Sequence, residues 1–323
     1  MGLMKYRQLG KTGLMVSEIG LGTAQIGGPS LIGGRFLGSP RIGKSEAIEI
    51  LNKARDAGIN FFDTSDKYGD GNAERLLGEV FNQEKDRVIF ATKCGIVEKG
   101  NRCFEESYVR LCLEQSLKNL NTDCIDLFQL TKPDMSVIRS GEIYRMLDKY
   151  KREGKIRFSG VSTGSEAETM QLIADNQIDT LQIFYNLLHI APNEGLIQKA
   201  FESRLGLIIR SPLSSGVLSG RYNHQTQFSK EDDRSAFLFG QTLTSRVDMV
   251  NKIADHFKLT KDYTILHFSL NYLLSNPKIS TIIPGTSQAA QLKDILNLCD
   301  MRRMALDEFQ CIEEFVKTNF HKG

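Results

Sequence analysis

Short apolar runs alternate with longer amphipathic segments along almost the whole chain. Each run ends in a polar or glycine-rich turn and precedes a segment whose apolar positions recur every three or four residues, the spacing of one helix face. The predicted strands are eight in number and span residues 17–23, 59–65, 87–93, 124–130, 156–162, 179–186, 206–213 and 279–285. Residues 45–58 and 105–120 are typical of the predicted helices between them.

Repeated strand–helix units of this kind indicate a closed parallel barrel. Crossovers between parallel strands are right-handed, and a parallel sheet needs cover on both of its faces. We therefore predict an α/β fold, a (β/α)8 TIM barrel that residues 1–323 form as a single domain.

Four segments lie outside the minimal repeat. Residues 6–17, YRQLGKTGLMVS, predict a β-hairpin that plugs the bottom of the barrel. Residues 27–43 and 214–240 predict long loops after strands 1 and 7, on the side where barrels carry their active sites. Residues 300–323 predict a final amphipathic helix that packs on the barrel.

A doubly wound dinucleotide fold is the alternative α/β interpretation, because GLGTAQ at residues 20–25 begins like a glycine fingerprint. Gln25 stands where the third glycine belongs, and the Gly-Pro-Ser residues that follow predict a loop instead of a helix. The motif therefore does not support that fold.

Composition narrows the classes of partner. The 41 Lys and Arg residues nearly balance 39 Asp and Glu, and the net charge of +2 gives no general attraction to nucleic acid or to an anionic membrane. The first residues lack the pattern of a secretory signal, so we expect a cytoplasmic protein. The six cysteines form no CxxC pair, which favours reduced thiols and no metal site.

Polar side chains with catalytic potential lie at the predicted strand ends. Asp63 and Tyr68 follow strand 2, Lys93 ends strand 3 and Thr131 follows strand 4. An ammonium about 4 Å from a phenol, at an effective dielectric of about 20, would lower the phenol pKa from about 10 to about 7. Each residue alone is more often structural, but strand ends converge in a barrel. The sequence thus predicts an Asp63–Lys93 ion pair beside an acidified Tyr68 suited to proton transfer.

The chain resembles the aldo-keto reductases through a series of motifs in the family's order. They are FDTSDKYGDGNAERLLGE (62–79), ATK (91–93), DLFQLTKPD (126–134), GVS (160–162), QIFYN (182–186), RSPLSSGVLSGRY (210–222) and IIPGTSQAAQLKDIL (282–296). The resemblance implies a single barrel that binds NADP(H), less often NAD(H), and transfers hydride between nicotinamide and a carbonyl or alcohol. The family's tetrad of Asp, Tyr, Lys and His corresponds to Asp63, Tyr68, Lys93 and Thr131.

A threonine thus occupies the histidine position. None of the five histidines lies at the end of strand 4. His189, just past strand 6, could approach the rim, although a histidine there more often has a loop or core role. Thr131 offers one hydroxyl and leaves room for a bulkier substrate. Losing an oriented donor costs about 10²–10³ in rate, which leaves a measurable reductase. Lys132 could direct a cation at an acidic substrate, although a solvated lysine is the more common case.

The cofactor residues are also implied by the resemblance. They are Gly22, Thr23, Ser162, Thr163, Gln182, Arg210, Ser211, Leu213, Ser215, Arg221, Gly285, Thr286, Ser287, Gln291 and Lys293. Thr286 and Ser287 begin a predicted helix, where free amides and the helix dipole stabilise a phosphate. Thr163 replaces a common Asn, Arg210 a common Tyr and Gln291 a common Arg, so that Lys293 is the only cation near the expected 2′-phosphate. Because the family uses NADP(H) more often than NAD(H), the resemblance slightly favours NADP(H) as the cofactor.

The sequence leaves three functions open. The first is an oxidoreductase acting on a small polar carbonyl or alcohol, such as a sugar or a sugar derivative. The second is a non-redox dehydratase or epimerase that keeps Tyr68 and Lys93 as acid and base. The third is a regulatory module that binds the cofactor with little turnover. All three predict a small-molecule ligand.

Overall fold

The computed structural model of the chain describes residues 3–97, 101–190 and 194–320, without the side chain of Glu194. Its strands are β1 (Tyr6–Gln8), β2 (Met15–Ser17), β3 (Leu21–Gly22), β4 (Ser30–Ile32), β5 (Arg35–Leu37), β6 (Phe61–Asp63), β7 (Ile89–Cys94), β8 (Ile125–Thr131), β9 (Ile156–Ser162), β10 (Thr180–Phe184), β11 (Gly206–Arg210) and β12 (Thr281–Ile283).

Helices connect the strands of the main sheet. They are α1 (Ala24–Gly27), α2 (Lys44–Asp56), α3 (Asn72–Val80), α4 (Glu106–Leu120), α5 (Met135–Ser140), α6 (Glu142–Arg152), α7 (Glu166–Asp175), α8 (Glu194–Glu202), α9 (Gly240–His256), α10 (Ile265–Ser275), α11 (Ala289–Leu296) and α12 (Leu306–Phe320). No helix of the described residues is long and apolar enough to cross a membrane.

Eight strands form one parallel sheet in the order β12-β11-β10-β9-β8-β7-β6-β3. Parallel bridges between Ile19 and Ile282 and between Gly22 and Gly285 join the two outer strands. The amide of Gly20 also donates to the carbonyl of Ile282 at 2.8 Å. The sheet therefore closes, which confirms the (β/α)8 barrel and rules out the doubly wound fold.

Side chains alternate between the inside of the barrel and the layer under the helices. In β8, Leu127 belongs to the interior cluster, whereas Phe128 and Leu130 pack outward into the larger cluster. The same alternation turns Lys93 inward at the end of β7. Apolar residues therefore fill the bottom of the barrel, and polar residues occupy the carboxyl ends of its strands.

The predicted N-terminal hairpin is confirmed. β1 and β2 pair antiparallel, and Leu9, Leu14 and Val16 pack against the apolar barrel interior, including Phe61. The backbone at Gly206 leaves space for Leu9, because a Cβ there would lie 2.8 Å from the leucine side chain. The hairpin therefore plugs the bottom, opposite the strand ends that carry polar residues.

Both predicted long loops are present, with more internal structure than the sequence indicated. Residues 27–43 contain the antiparallel hairpin β4–β5. Residues 214–240 contain 3-10 helices at Ser214–Ser219 and Asp233–Ala236. The loops meet where the Asp233 amide donates to the Gly38 carbonyl at 2.9 Å and the Gly38 amide donates to the Asp233 carboxylate at 3.3 Å.

The structure adds one element and shortens others. Residues Ala24–Gly27 form one helical turn, α1, which the sequence did not predict, and Gly28 and Pro29 after it lie in a loop as expected. The first, second and eighth barrel strands are also shorter than predicted, with only two or three residues each in β3, β6 and β12. The last helix is found as α12, whereas residues 321–323 of the predicted tail lie outside the described residues.

Candidate active site

An ion pair lies buried at the carboxyl ends of β6 and β7. The Lys93 ammonium donates to Asp63 Oδ1 at 2.5 Å and to the Thr64 carbonyl at 2.8 Å. The two side chains are only 6% and 3% exposed. Parallel pairing of β6 with β7 places Asp63 opposite Ala91, two residues before Lys93, so the structure brings together the residues that the sequence predicted as a pair.

Two glutamines complete the hydrogen bonding of Asp63. Its Oδ2 accepts from Gln182 Nε2 at 2.7 Å and from Gln129 Nε2 at 3.3 Å. Gln182 was predicted at the site, but Gln129 was missed. Because Gln129 lies two residues before Thr131 on β8, strand alternation was the signal that could have found it. A carboxylate fixed by three partners holds the ammonium in one position.

Tyr68 lies on the loop between β6 and α3, beside this pair. The Lys93 ammonium is 5.0 Å from the centroid of its ring. The loop packs tightly on α1, since a Cβ at Gly27 would come within 2.7 Å of the Tyr68 carbonyl oxygen. A glycine at position 27 thus allows the approach that places Tyr68 in the groove.

The predicted acidity of Tyr68 is wrong. Burial raises the pKa of Tyr68 above its ordinary value, and the positive charge of Lys93 opposes this rise only in part. Asp63 adds to the rise, because its negative charge disfavours a phenolate nearby. Burial lowers the pKa of Lys93, but pairing with Asp63 raises it overall, so the lysine remains charged. At neutral pH the site therefore holds a neutral phenol next to an ammonium.

Thr131 lies at the end of β8 and lines the same groove as Tyr68. His189 does not line the groove, but packs against Phe184 with ring centroids 5.0 Å apart. Within the described residues no histidine side chain lines the groove, and His321 lies outside them. Thr131 thus stands alone at the position where the tetrad would have its imidazole.

A groove of about 830 Å³ runs across the mouth of the barrel. Asp63, Tyr68, Lys93 and Thr131 all line it. Most of the predicted cofactor residues line it too, namely Gly22, Ser162, Gln182, Arg210, Ser211, Leu213, Ser215, Arg221, Gly285, Thr286, Ser287 and Gln291. Pockets of about 300–1,000 Å³ are typical of ligand sites, so the groove is large enough for a dinucleotide.

Three predicted cofactor residues do not line the groove. Thr23 is fully buried and donates to the Asp63 carbonyl at 3.0 Å. Thr163 is also buried, and its carbonyl accepts from Arg210 Nη2 at 3.1 Å. Lys293 is exposed on α11. Thr23 and Thr163 thus support groove residues from behind, and Lys293 is not placed to contact a ligand in the groove.

The loop after β11 has the backbone form of an anion cradle. Ser211, Ser214 and Ser215 adopt left-handed φ values of 53°, 49° and 58°. Successive amides in such turns form concave sites that bind phosphates. Across the groove, α11 begins at Ala289, and the side chain of its N-cap residue, Gln288, makes no capping hydrogen bond. These groups and the groove volume fit a dinucleotide with its two phosphates.

Sequence reasoning missed further cations along the groove. Arg246 of α9 and Arg234 of the 214–240 loop both line it. Arg234 pairs with Asp232, and Arg221 pairs with Asp294 at 2.8 Å, whereas Arg246 has no ion pair within the described residues. The position of α9 over the groove depends on tertiary packing, so no local motif could have identified Arg246.

Comparison with known proteins finds relatives along nearly the whole chain. A model of the aldo/keto reductase family matches residues 18–317. The uncharacterized oxidoreductase YqkF of Bacillus subtilis is 26% identical over 325 residues, which cover 99% of each chain. L-galactose dehydrogenase of Arabidopsis thaliana is 26% identical, over 94% of this chain and 91% of the relative. The solved glycerol dehydrogenase AKR11B4 from Gluconobacter oxydans superimposes with a TM-score of 0.78 at 22% identity, over 99% and 96% of the two chains.

Proposed function

The chain belongs to the aldo/keto reductase family, and from that premise we propose that this NAD(P)-dependent oxidoreductase acts on a small polar carbonyl or alcohol, a sugar or a sugar derivative. The observation that carries the proposal is the buried Asp63–Lys93 pair next to Tyr68 on the floor of the groove. The names of two relatives, L-galactose dehydrogenase and glycerol dehydrogenase, support a polyhydroxylated substrate.

When bound, the nicotinamide supplies or accepts the hydride at the carbonyl carbon of the substrate. Tyr68 donates a proton to the carbonyl oxygen during reduction, because its phenol is neutral at physiological pH. Lys93, fixed by Asp63, stabilises the negative charge that then remains on the phenolate oxygen. The hydroxyl of Thr131 offers the substrate oxygen one further hydrogen bond in place of an imidazole.

We also propose NADP(H) as the preferred cofactor, ahead of NAD(H). The 2′-phosphate needs a cation near the adenine ribose, and Lys293 is not placed to provide it. Arg246 lines the groove without an ion-pair partner among the described residues and is the candidate for this contact. Ser211, Ser215, Thr286 and Ser287 are proposed to contact the remaining phosphates.

A substrate panel tests the proposal. Sugars, polyols and simple aldehydes are assayed with NADPH and NADH, and nicotinamide absorbance is compared with product formed. We expect Tyr68→Phe to lower kcat/KM by about 10²–10⁴-fold, the usual contribution of a general acid. Thr131→His should change the ranking of substrates, because it adds a donor and removes space.

The matched control is Tyr6→Phe, since Tyr6 lies on the bottom hairpin and donates to the Gly58 carbonyl. It should leave turnover unchanged. Undiminished activity of Tyr68→Phe would contradict the assigned proton donor. Product formation without a matching change in nicotinamide would favour the dehydratase or epimerase alternative. Tight cofactor binding with negligible turnover would favour the regulatory module.

A further inference from the structure

Lys132 lies in the groove and has an unfavourable backbone conformation. It follows Thr131 directly, lines the groove and has a left-handed φ of 52°. Its amide donates to the Ser162 carbonyl at 2.7 Å, which ties the residue to the end of β9. A left-handed residue other than glycine costs free energy and is found where the surrounding structure enforces it, often at functional sites.

The ammonium of Lys132 has no partner in the described part of the chain. It makes no hydrogen bond and no ion pair there, although the side chain is half-buried. Burial lowers the pKa of Lys132, and the positive charges of Arg210 and Arg102 lower it further. Glu168 is the opposing negative charge, but it does not come within ion-pair distance.

Arg210 is a second cation without a counterion at the same end of the groove. Its Nη2 donates to the Thr163 carbonyl at 3.1 Å, and its guanidinium lies 5.3 Å from the centroid of the Phe184 ring. No carboxylate of the described residues pairs with it. The nearest carboxylate on the floor, that of Asp63, is already neutralised by Lys93.

The charges around the catalytic end therefore do not balance. Asp63 and Lys93 cancel, Tyr68 is neutral, and Lys132 and Arg210 leave two positive charges in a partly dehydrated space. Desolvated cations without partners destabilise a fold, and an anion placed between them would remove that cost. The cradle for the cofactor phosphates uses other residues, from the loop after β11 and the start of α11.

We infer that the substrate carries an anionic group, a carboxylate or a phosphate ester, which Lys132 binds directly with the support of Arg210. This inference rests on the proposed oxidoreductase function and narrows its substrate class. Lys132 would fix the substrate by its charged end, so that the carbonyl carbon lies beside Tyr68. A substrate of the same size without the charge would lose that anchor.

Matched pairs of probes test the inference. D-glucuronate is compared with D-glucose for the carboxylate, and D-glyceraldehyde 3-phosphate with D-glyceraldehyde for the phosphate ester. Native protein, Lys132→Met, Lys132→Arg and the control Lys118→Met are assayed for kcat/KM with NADPH. Lys118 is exposed on α4 and lies outside the groove.

The native protein should prefer the anionic member of at least one pair by about tenfold or more, as expected for a charge-assisted hydrogen bond. Lys132→Met should lower kcat/KM for that member by about 10–100-fold and change the neutral member less than about threefold. Lys132→Arg should restore the preference, and Lys118→Met should not alter it. The probe pair that shows this preference identifies the anionic group of the substrate as a carboxylate or as a phosphate ester.

Equal turnover of both members, or an equal loss on both in Lys132→Met, would overturn the inference and leave the proposed function standing. Failure to turn over any probe would count against the proposed function. In that case, calorimetric titration of the NADP⁺ complex with the same probes decides the inference separately. The inference is supported if the anionic member of a pair binds more tightly than the neutral member and Lys132→Met abolishes this difference. It is refuted if both members bind equally or if neither binds.

Discussion

Tyr68 is a neutral phenol at physiological pH, and this protonation state favours carbonyl reduction. Its pKa is raised, so the proton stays on the oxygen to a higher pH than in a free tyrosine. We expect kcat/KM for reduction to be flat through neutral pH and to fall only above about 10, the ordinary tyrosine pKa. Alcohol oxidation needs the phenolate and should rise steadily with pH over the same range. Rate profiles measured in both directions check this.

An alcohol-oxidation profile that levels off near neutral pH would contradict a raised pKa and restore the acidified phenol. Tyr68→Phe serves as the control, because any pH dependence of the rate that persists in this variant belongs to another titrating group. The expectation from the sequence included the Asp63–Lys93 pair but counted only the effect of the ammonium on the phenol. It left out the burial of Tyr68 and the opposing effect of the Asp63 charge. Charges at strand ends can be read from motifs, whereas desolvation depends on the assembled groove.

At the scale of elements, Glu74 joins α3 to its neighbours. Its fully buried carboxylate accepts from Thr92 Oγ1 of β7 at 2.6 Å and from Asn119 Nδ2 of α4 at 2.9 Å. Glu74→Ala leaves both donors without an acceptor, so we expect the free energy of unfolding to fall by about 2–4 kcal/mol. Chemical denaturation measures this.

Glu49→Ala is the matched control, because Glu49 makes only an exposed pair with Lys53 on α2. That pair should contribute less than about 1 kcal/mol. A Glu74→Ala protein as stable as the control would contradict the structural role of the carboxylate. Since Thr92 directly precedes Lys93, we also expect some loss of activity in the Glu74 variant.

The elements were predicted well where hydrophobic periodicity is long and poorly where it is short. The alternation of strands and helices gave the barrel. The hairpin β4–β5 was missed because its strands have three residues each, although the Gly33-Gly34 turn between Leu31 and Phe36 was a usable signal. Left-handed Lys132 could not be predicted, because a lysine in that conformation is enforced by neighbouring strands.

At the scale of the whole molecule, Glu18 ties the N-terminal hairpin to the C-terminal segment. This residue is 1% exposed. Its carboxylate pairs with Arg7 at 3.0 Å and also with Arg303. Removing the charge leaves Arg7 and Arg303 with backbone carbonyl acceptors but without a counterion. We therefore expect Glu18→Gln to cost about 3–5 kcal/mol, the usual effect of breaking a buried pair. A thermal unfolding curve should show a clearly lower Tm.

Glu308→Gln is the control, since the Arg302–Glu308 pair is exposed and should contribute less than about 1 kcal/mol. Equal Tm values for the two variants would show that the buried cluster does not hold the ends together. Catalytic constants of Glu18→Gln below its Tm should remain near native, because the cluster lies opposite the mouth. That the chain is a single domain stays a prediction, and it is consistent with this link between its ends.

Gly38 and Asp233 belong to different loops, yet they are joined by two hydrogen bonds, one from each backbone amide to an oxygen of the other residue. A loop transplanted alone from a relative would arrive without its counterpart and would leave a half-buried amide and carboxylate unsatisfied. Redesign of specificity in this scaffold therefore has to exchange both loops together, and natural variation in one should be accompanied by compensating variation in the other.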